Sequence, residues 1–501
     1  MSFNSLEFLI FLPLVVLLYW ILPHKVRWIL LLAASYYFYM SWNTWLIFLI
    51  MSTTLVSYVA AMAIEHAESV KAKRAWLVVT LVICLGCLVF FKYFNFLLNS
   101  VIDFLNLFAL DLDSISLNII LPIGISFYTF QTLSYVIDVY RGDYRAEHHL
   151  GYYALYVSYF PQLVAGPIES PGVLLPQLRA KHKLSSDDIY MGMRQLISGF
   201  FRKCVIADFC GLFVDTVYAE LSSVTGLAVF LASFLFLLQI YNDFAGYSEI
   251  AMGSARLMGV RLSVNFDRPL LSVSASEFFR RWHITLNRWF TKYLYIPLGG
   301  NRKGLARKLL NTMIVFLLCG LWHGASWTYI LWGFAIGVLV CVETLIKKPV
   351  REFCAKIHLN LQGRIVRCLR QIALLFVLTL SIVLFRAQSI EEIVTAYTQI
   401  FTSAGLTPAY ITQSFSDLGM DTLQLLQIVL SVVVMAMLYK FTTEPNGEKK
   451  ELSRRGGLIR TEAVPWIMDA NAYVYAAVII IFCWLALIAS SDISSFAYFQ
   501  F

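Results

Sequence analysis

Apolar runs long enough to cross a bilayer recur along this chain, and they decide what it can fold into. Leu6–Leu22, Trp28–Trp42, Leu46–Ile64, Trp76–Leu98 and Leu117–Val139 are such runs. Leu309–Leu345, Ile372–Phe385, Leu423–Leu438 and Tyr473–Ala489 follow, and Val205–Ala219 with Leu227–Ile240 form a further candidate pair. Crossing hydrocarbon takes roughly 20 apolar residues in a helix. Lipid offers no partner to a backbone N–H or C=O, so the spans are expected to be helices. With 59% apolar and only 14% charged residues, a soluble globule would lack polar surface. The expected fold class is therefore an all-α, polytopic membrane protein. The run Phe8–Leu22 has no cationic segment before it, and His24-Lys25-Val26-Arg27 after it in place of a small-residue cleavage site. It reads as a retained first span.

Lys and Arg concentrate in cytoplasmic loops, which gives the spans a direction. His24–Arg27, Lys71–Arg74, Arg141–Arg145, Arg179–Lys203, Arg256–Lys308, Lys347–Arg370 and Lys440–Arg460 are basic. Ser41–Thr44, Asn99–Ser116 and Glu391–Thr422 contain no Lys or Arg. Alternating these loops predicts both termini outside the cytoplasm and about ten to twelve crossings. The net charge of +8 then belongs to cytoplasmic loops facing lipid headgroups, and no nucleic-acid partner is expected. The nine cysteines are scattered through apolar runs. Cys84 and Cys87 form a C-x-x-C without a second pair, which reads as packing rather than metal or redox chemistry.

His323 breaks this apolar pattern. It lies in Leu318-Cys319-Gly320-Leu321-Trp322-His323-Gly324-Ala325-Ser326-Trp327, inside a run long enough for a hairpin. The charge map puts both ends of that hairpin in the cytoplasm and His323 towards the middle or far half of the membrane. A titratable ring there has no solvation to explain it, so a catalytic or proton-handling role stands beside that of a core histidine bonded to a buried carbonyl. Of the eight histidines, His24, His66, His148, His149, His182 and His358 fall in hydrophilic loops or at their edges. His283 sits beside Arg280, Arg281 and Trp282, where an interfacial role and a ligand-touching one are both open.

Two basic segments predict amphipathic surface helices. Ser274-Ala275-Ser276-Glu277 has capping-box spacing. Beyond it Phe278, Phe279, Trp282, Leu286, Trp289, Phe290 and Tyr293 share an apolar side, with Arg281, Arg288 and Lys292 as a cationic stripe. This helix either rests on lipid headgroups or forms a floor for a phosphate-bearing cytoplasmic ligand. Leu184–Lys203 reads as a second surface helix, with Ile189, Met193, Leu196, Ile197 and Phe200 at helical spacing. The polar stretch Tyr241–Glu249 and the Pro/Gly-bearing segments Leu121–Tyr128 and Leu163–Glu169 predict either ordinary kinks or re-entrant pieces around an internal chamber.

No Walker loop, nucleophile elbow or convincing metal cluster accompanies these features. The chemistry left for a buried neutral imidazole is to accept a proton from a hydroxyl attacking an activated acyl group. A thioester donor would need no covalent enzyme intermediate, only a base, aligned substrates and excluded water.

Leu321-Trp322-His323-Gly324-Ala325, YNDFAGYSEIAMG at Tyr241–Gly253, FFRRWHITL at Phe278–Leu286 and YLYIPLGGN at Tyr293–Asn301 resemble the membrane-bound O-acyltransferase family. Leu121–Asp143, VAGPI at Val164–Ile168 and the final Tyr498–Phe501 carry the same resemblance, nearest to the subgroup that O-acetylates alginate, peptidoglycan or other bacterial surface polysaccharides. The family's usual Asp-Phe-Ser-Gly-Tyr-Ser-Asp phrase is altered here at Ala245 and Glu249. The resemblance implies one membrane domain over 1–501, with spans in 1–145, a catalytic core in 146–345 and further spans in 346–501. It implies His323 as the principal catalytic histidine and His283 as the second. It also implies acetyl transfer across the bacterial cytoplasmic membrane from a cytoplasmic thioester such as acetyl-CoA, with no permanently bound cofactor. A separate extracytoplasmic esterase-like acetyltransferase would then place the acetyl on the polysaccharide. The expected substrate-contacting set is Arg281, Trp282, Arg288 and Lys292, with Asn242, Asp243, Tyr247, Ser248 and Trp322. The rivals are a lipid or saccharide transporter, a scaffold for polysaccharide export, and a longer-chain acyltransferase.

Overall fold

A computed structural model describes residues 1–442 apart from 404 and 406; the expected span Tyr473–Ala489 and the Tyr498–Phe501 phrase lie outside them. Every regular element among the described residues is helical. The N-terminal third contains α1 (Leu6–Ile21), α2 (His24–Met40), α3 (Leu46–His66), α4 (Val70–Leu88), α5 (Phe94–Asn106) and α6 (Ile125–Arg141). The central part contains α7 (Leu150–Ser158), α8 (Pro171–Arg179), α9 (Ser186–Phe200), α10 (Asp208–Ala219), α11 (Gly226–Arg256), α12 (Ala275–Arg281) and α13 (Ile284–Phe290). Then come α14 (Gly304–His323), α15 (Trp327–Lys356), α16 (Arg364–Arg386), α17 (Ile390–Thr402), α18 (Pro408–Asp417) and α19 (Thr422–Thr442).

Six stretches among the described residues are long and apolar enough to span a membrane: Leu46–His66, Val70–Asn106, Gly226–Arg256, Gly304–His323, Trp327–Lys356 and Arg364–Arg386. A seventh is counted if α18 and α19, bent by 76°, act as one. The expected ten to twelve crossings are not established by these lengths. α1 and α2 have 16 and 17 residues, short of the roughly 20 that a straight crossing takes.

The expected run Leu117–Val139 is not one span. Residues 110–122 are non-helical, and α6 starts only after Gly124. Pro122 has no N–H to extend a helix. A row of asparagines on the preceding helix supplies the alternative partners. The N–H of Leu112 donates to Asn106 Oδ1 at 2.7 Å, that of Ile115 to Asn99 Oδ1 at 3.0 Å and that of Leu117 to Asn95 Oδ1 at 3.0 Å. An extended chain at the edge of a membrane domain thus has its backbone partly satisfied by protein.

α11 forms the mast of the molecule, and most of its circumference is buried. The expected surface helix over Leu184–Lys203 is instead α9, packed lengthwise on this mast. Ser185 caps its start, accepting from the Asp188 N–H, and Asp187 and Asp188 occupy the first turn. Gly192 faces Gly253 and Gly199 faces Gly246 so closely that a Cβ at Gly199 would lie 2.7 Å from the Gly246 carbonyl oxygen. Small residues at a helix crossing permit such backbone approach. Gly192, Leu196 and Gly199 are therefore buried, while Ile189 and Met193 face outwards. Of the expected apolar stripe, Leu196 is buried and Ile197 and Phe200 pack partly against the core, whereas the closest contacts are made by glycines, which carry no hydropathy signal.

Past α9 a π-helical turn, Phe201–Ala207, buries two cations against α11. Arg202 meets Glu249 at 3.1 Å and donates to Asn242 Oδ1 at 3.2 Å. Lys203 meets Asp243 at 2.8 Å and Asp208 at 2.7 Å. The polar phrase in α11 thereby has protein partners, as buried charge requires.

Candidate active site

The site grows from a hairpin. α14 and α15 cross where Gly320 meets the backbone of Tyr329 and Gly333; a Cβ at Gly320 would lie 2.3 Å from the Tyr329 carbonyl oxygen. α14 ends at His323 because Gly324 is extended, with φ −158° and ψ 155°. Ser326 starts α15 by accepting from the Thr328 N–H at 3.3 Å. His323 is thus the last residue of one helix at the tip of the expected hairpin. Its ring sits 9% exposed, edge-on to Trp322 (5.0 Å between centroids), Trp332 (5.4 Å) and Phe385 (5.2 Å).

A helix end leaves its last carbonyls without intrahelical partners. Here two neighbouring residues of a distant span take them. Lys92 Nζ donates to the carbonyls of Trp322 and His323, at 2.7 and 3.0 Å. The Tyr93 hydroxyl donates to the carbonyl of Leu321 at 2.9 Å. Lys92 and Tyr93 belong to the π-helical turn Val89–Tyr93 that interrupts the span Val70–Asn106; such turns often accompany functional sites. Lys92, Trp322 and His323 line a cavity of about 70 Å³, walled otherwise by residues 121–127 and Val164. Lys92 escaped the sequence reading, although a cation inside the apolar run Trp76–Leu98 is the same kind of signal as His323.

His283 occupies a break rather than a helix. The expected continuous helix after Ser274 divides into α12 and α13, with His283 between them in the left-handed region at φ 44°. The cause is pairing with a neighbouring strand-like segment. The Asp267 N–H donates to the Arg281 carbonyl and the Ile284 N–H to the Asn265 carbonyl, both at 2.9 Å. Asn265 Oδ1 also accepts from Thr285 N–H (3.2 Å) and Thr285 Oγ1 (2.9 Å), and lies 3.2 Å from His283 Nδ1. An oxygen already accepting a backbone N–H assigns the imidazole proton to Nδ1 and the lone pair to Nε2. Nε2 is buried without a hydrogen-bond partner among the described residues, as is Trp322 Nε1. Burial, with His323 nearby, holds the His283 imidazole well below its ordinary value and keeps it neutral. Trp322 stands between the two histidines, 5.7 Å from His283 and 5.0 Å from His323 between ring centroids.

A second cavity, of about 220 Å³, lies against α13. Ser134, Glu169, Ser170, Ser263, Thr285, Arg288, Trp289, Lys292 and Tyr293 give it a hydroxyl-rich, charged lining. Lys292 is bound to Asp138 at 2.7 Å, and the Tyr293 hydroxyl donates to the same carboxylate at 2.9 Å. Glu169 accepts from the backbone N–H and, at 3.0 Å, the hydroxyl of Ser263. Burial pushes its carboxyl up to about 7, against those bonds and the pull of Arg288. Arg288 is exposed and has no ion pair among the described residues.

An aromatic layer separates the cavities. Trp289, from the second, stacks on Phe130 at 3.8 Å with 7° between planes. Phe130 and Phe127 pack on Trp322, from the first, at 5.8 and 5.4 Å.

The expected cationic stripe is therefore divided. Arg288 and Lys292 share the second cavity, whereas Arg281 is bonded at 2.7 Å to Glu277 one turn back in α12. Trp282 stacks on Phe278 at 5.2 Å, at the closed end of α12. Asn242 and Asp243 are held in the Arg202 and Lys203 network. Tyr247 stacks on Phe3 at 4.4 Å, and Ser248 Oγ lies 3.5 Å from Asn265 Nδ2, behind the His283 anchor. None of these six lines either cavity. Glu169 and Asp138 fall inside segments that the sequence marks, Leu163–Glu169 and Leu121–Asp143, but neither carries a role there, and Asn265 has no sequence signal; all three reach the site through the fold.

Comparison with known proteins adds an independent line. The model of the membrane-bound O-acyltransferase family matches residues 31–383. The probable alginate O-acetylase of Pseudomonas aeruginosa is 35% identical over 453 residues, 89% of this chain and 83% of that one. Its counterpart in Azotobacter vinelandii is 33% identical over 514 residues, covering 100% of both. The peptidoglycan O-acetyltransferase of Helicobacter pylori is 29% identical over 542 residues, 100% of this chain and 97% of that one.

Proposed function

Because the chain belongs to the membrane-bound O-acyltransferase family, we propose that it passes an acetyl group from a cytoplasmic thioester, acetyl-CoA, through the membrane towards a surface polysaccharide. The names of its relatives, which act on alginate and peptidoglycan, support acetyl as the group and a polysaccharide as the destination. The observation that carries the mechanism is His323 at the tip of the α14–α15 hairpin, lining a small apolar cavity.

In this reading the second cavity receives the donor's polar part from the cytoplasmic side, with Arg288 as its uncommitted cation. The thioester end crosses the Phe130–Trp289 layer to reach His323. An acceptor hydroxyl enters the first cavity from the other side. His323 takes the hydroxyl proton as the oxygen bonds to the acyl carbon, then returns a proton to the departing thiolate. The donor becomes a free thiol and the acceptor an O-acetyl ester. His283 lines neither cavity; it stays neutral, fixed by Asn265, and supports the ring of Trp322, which lines the first. An extracytoplasmic esterase-like acetyltransferase accepts the group and delivers it to the polymer, in a bacterial cytoplasmic membrane with both termini outside.

His323→Ala tests this reading. The variant should insert and melt like the wild type, yet lose acetyl transfer by about 10²–10⁴-fold, the usual contribution of a general base. Thiol release from acetyl-CoA by purified protein, and mass spectrometry of ester-linked acetyl on the surface polysaccharides of cells, are the two readouts. Transfer retained at the wild-type rate would exclude His323 as the base.

A further inference from the structure

The residue nearest in chemistry to His323 is not another histidine but Lys92. Its ammonium has three N–H groups. Two are engaged by the Trp322 and His323 carbonyls at 2.7 and 3.0 Å. The third has no protein acceptor among the described residues, and the side chain lines the same cavity as His323. The rest of that lining is apolar side chain and backbone from residues 121–127 and Val164, with Ser126 and Trp322. Among the described residues that line it, Lys92 is the one with an amine, and it is held by the backbone that ends in His323.

A thioester attacked by a hydroxyl passes through a tetrahedral species with negative charge on the former carbonyl oxygen. In a cavity with little water, that charge is stabilised most by a donor already in place. We infer that Lys92 is a catalytic residue whose free N–H binds this oxyanion, while its other two N–H groups lock the Trp322–His323 backbone beside it. The balance of the step is complete. The acceptor oxygen bonds to the acyl carbon and its proton goes to the His323 imidazole. The carbonyl π pair moves to the oxygen facing Lys92. On collapse the pair returns, the C–S bond breaks, and the sulfur takes the proton from the imidazolium. Lys92 keeps its three protons throughout, so it acts by charge and not by proton transfer.

The inference rests on His323 being the base, and the experiment separates the two. Lys92→Arg, Lys92→Gln and Lys92→Met are compared with His323→Ala in purified, lipid-reconstituted protein, using acetyl-CoA and a hydroxyl acceptor. Glutamine keeps N–H donors for the backbone carbonyls but carries no charge; arginine keeps the charge; methionine removes both. If Lys92 meets the oxyanion, Gln and Met both lower kcat by about 10²-fold, KM for acetyl-CoA moves less than threefold, and Arg retains more activity than Gln. If Lys92 only caps α14, Gln works nearly as well as the wild type and Met alone loses activity, together with melting temperature; that result overturns the inference. A Met variant that fails to fold leaves the Arg-against-Gln comparison to decide. An inactive His323→Ala beside an active Lys92→Gln sinks the lysine role alone. An active His323→Ala sinks the base on which it depends.

Discussion

The two cavities differ in kind, and the proposed transfer draws on that difference. The one at the hairpin tip is about 70 Å³, walled by backbone and apolar side chains, with a single lysine and a single histidine. The one against α13 is about 220 Å³ and lined by hydroxyls, a carboxylate, an arginine and a lysine. A transfer between a charged donor and a bond-making step needs both kinds of space. A polar head is recognised where water and counter-charges are at hand. Proton transfer and oxyanion stabilisation gain from their exclusion. The aromatic layer of Phe127, Phe130, Trp289 and Trp322 holds the two environments apart while leaving them one ring-stack from each other.

The largest effects belong to the first cavity. His323→Ala and the uncharged Lys92 variants should act on kcat, whereas changes in the second cavity should act on donor KM or on stability. A His323 variant whose only defect is a raised donor KM would break this division.

Glu169 provides the next test, through pH. Burial lifts its carboxyl from an ordinary value of 4.5 to about 7 in the folded protein. In the unfolded chain the group ionises at the ordinary value, so between these pH values the unfolded state has lost the proton that the folded state keeps. Stability from this group is therefore complete below the ordinary value and is lost as pH rises through about 7. For a carboxyl moved from 4.5 to about 7 the linkage limit is about 3 kcal/mol. Glu169→Gln should flatten the decline in melting temperature between pH 5 and 8 that the wild type shows in detergent, and should leave kcat nearly unchanged. An equal decline in both proteins would show that Glu169 is not the titrating group, and a collapse of kcat would move it into the reaction.

How much of this was legible in sequence differs between the cavities. His323 stood out because a polar ring in an apolar run is anomalous whatever surrounds it, and the hairpin followed from its length. Lys92 obeyed the same rule but was hidden by its neighbours, since Phe90, Phe91, Tyr93 and Phe94 keep a hydropathy window high. The second cavity was half visible. Arg288 and Lys292 were chosen by helical spacing, and that spacing also enlisted Arg281, on the wrong side of a break that only the pairing of Asn265 and Asp267 with residues 281–284 creates. Asn242 and Asp243 were chosen as polar groups at membrane depth. Their partners, Arg202 and Lys203, lay some 40 residues away at the end of a helix whose packing glycines gave no signal. Periodicity finds elements and anomalies; it does not find the partner that neutralises a charge.

Arg288 gives the finest discrimination, because the three cations of the expected stripe are now inequivalent. Arg281 is bonded to Glu277 and Lys292 to Asp138, so neither can turn to a phosphate without leaving a carboxylate behind. Arg288 is exposed, lines the larger cavity and has no such commitment among the described residues. Because Arg288 is exposed, a charge-assisted contact between it and a phosphate group of the donor is worth about 1.5 kcal/mol, the low end for such bonds. Arg288→Ala should therefore raise the KM for acetyl-CoA by about tenfold or somewhat more, with kcat changed less than threefold. Arg281→Ala should leave both constants within about twofold. A short thioester lacking the nucleotide, such as acetyl-pantetheine, sharpens the point. Its KM should be high in the wild type and nearly indifferent to Arg288→Ala, since the contact being removed is one it never makes. If Arg281→Ala raises the acetyl-CoA KM and Arg288→Ala does not, the donor enters on the α12 side and the larger cavity is not its site.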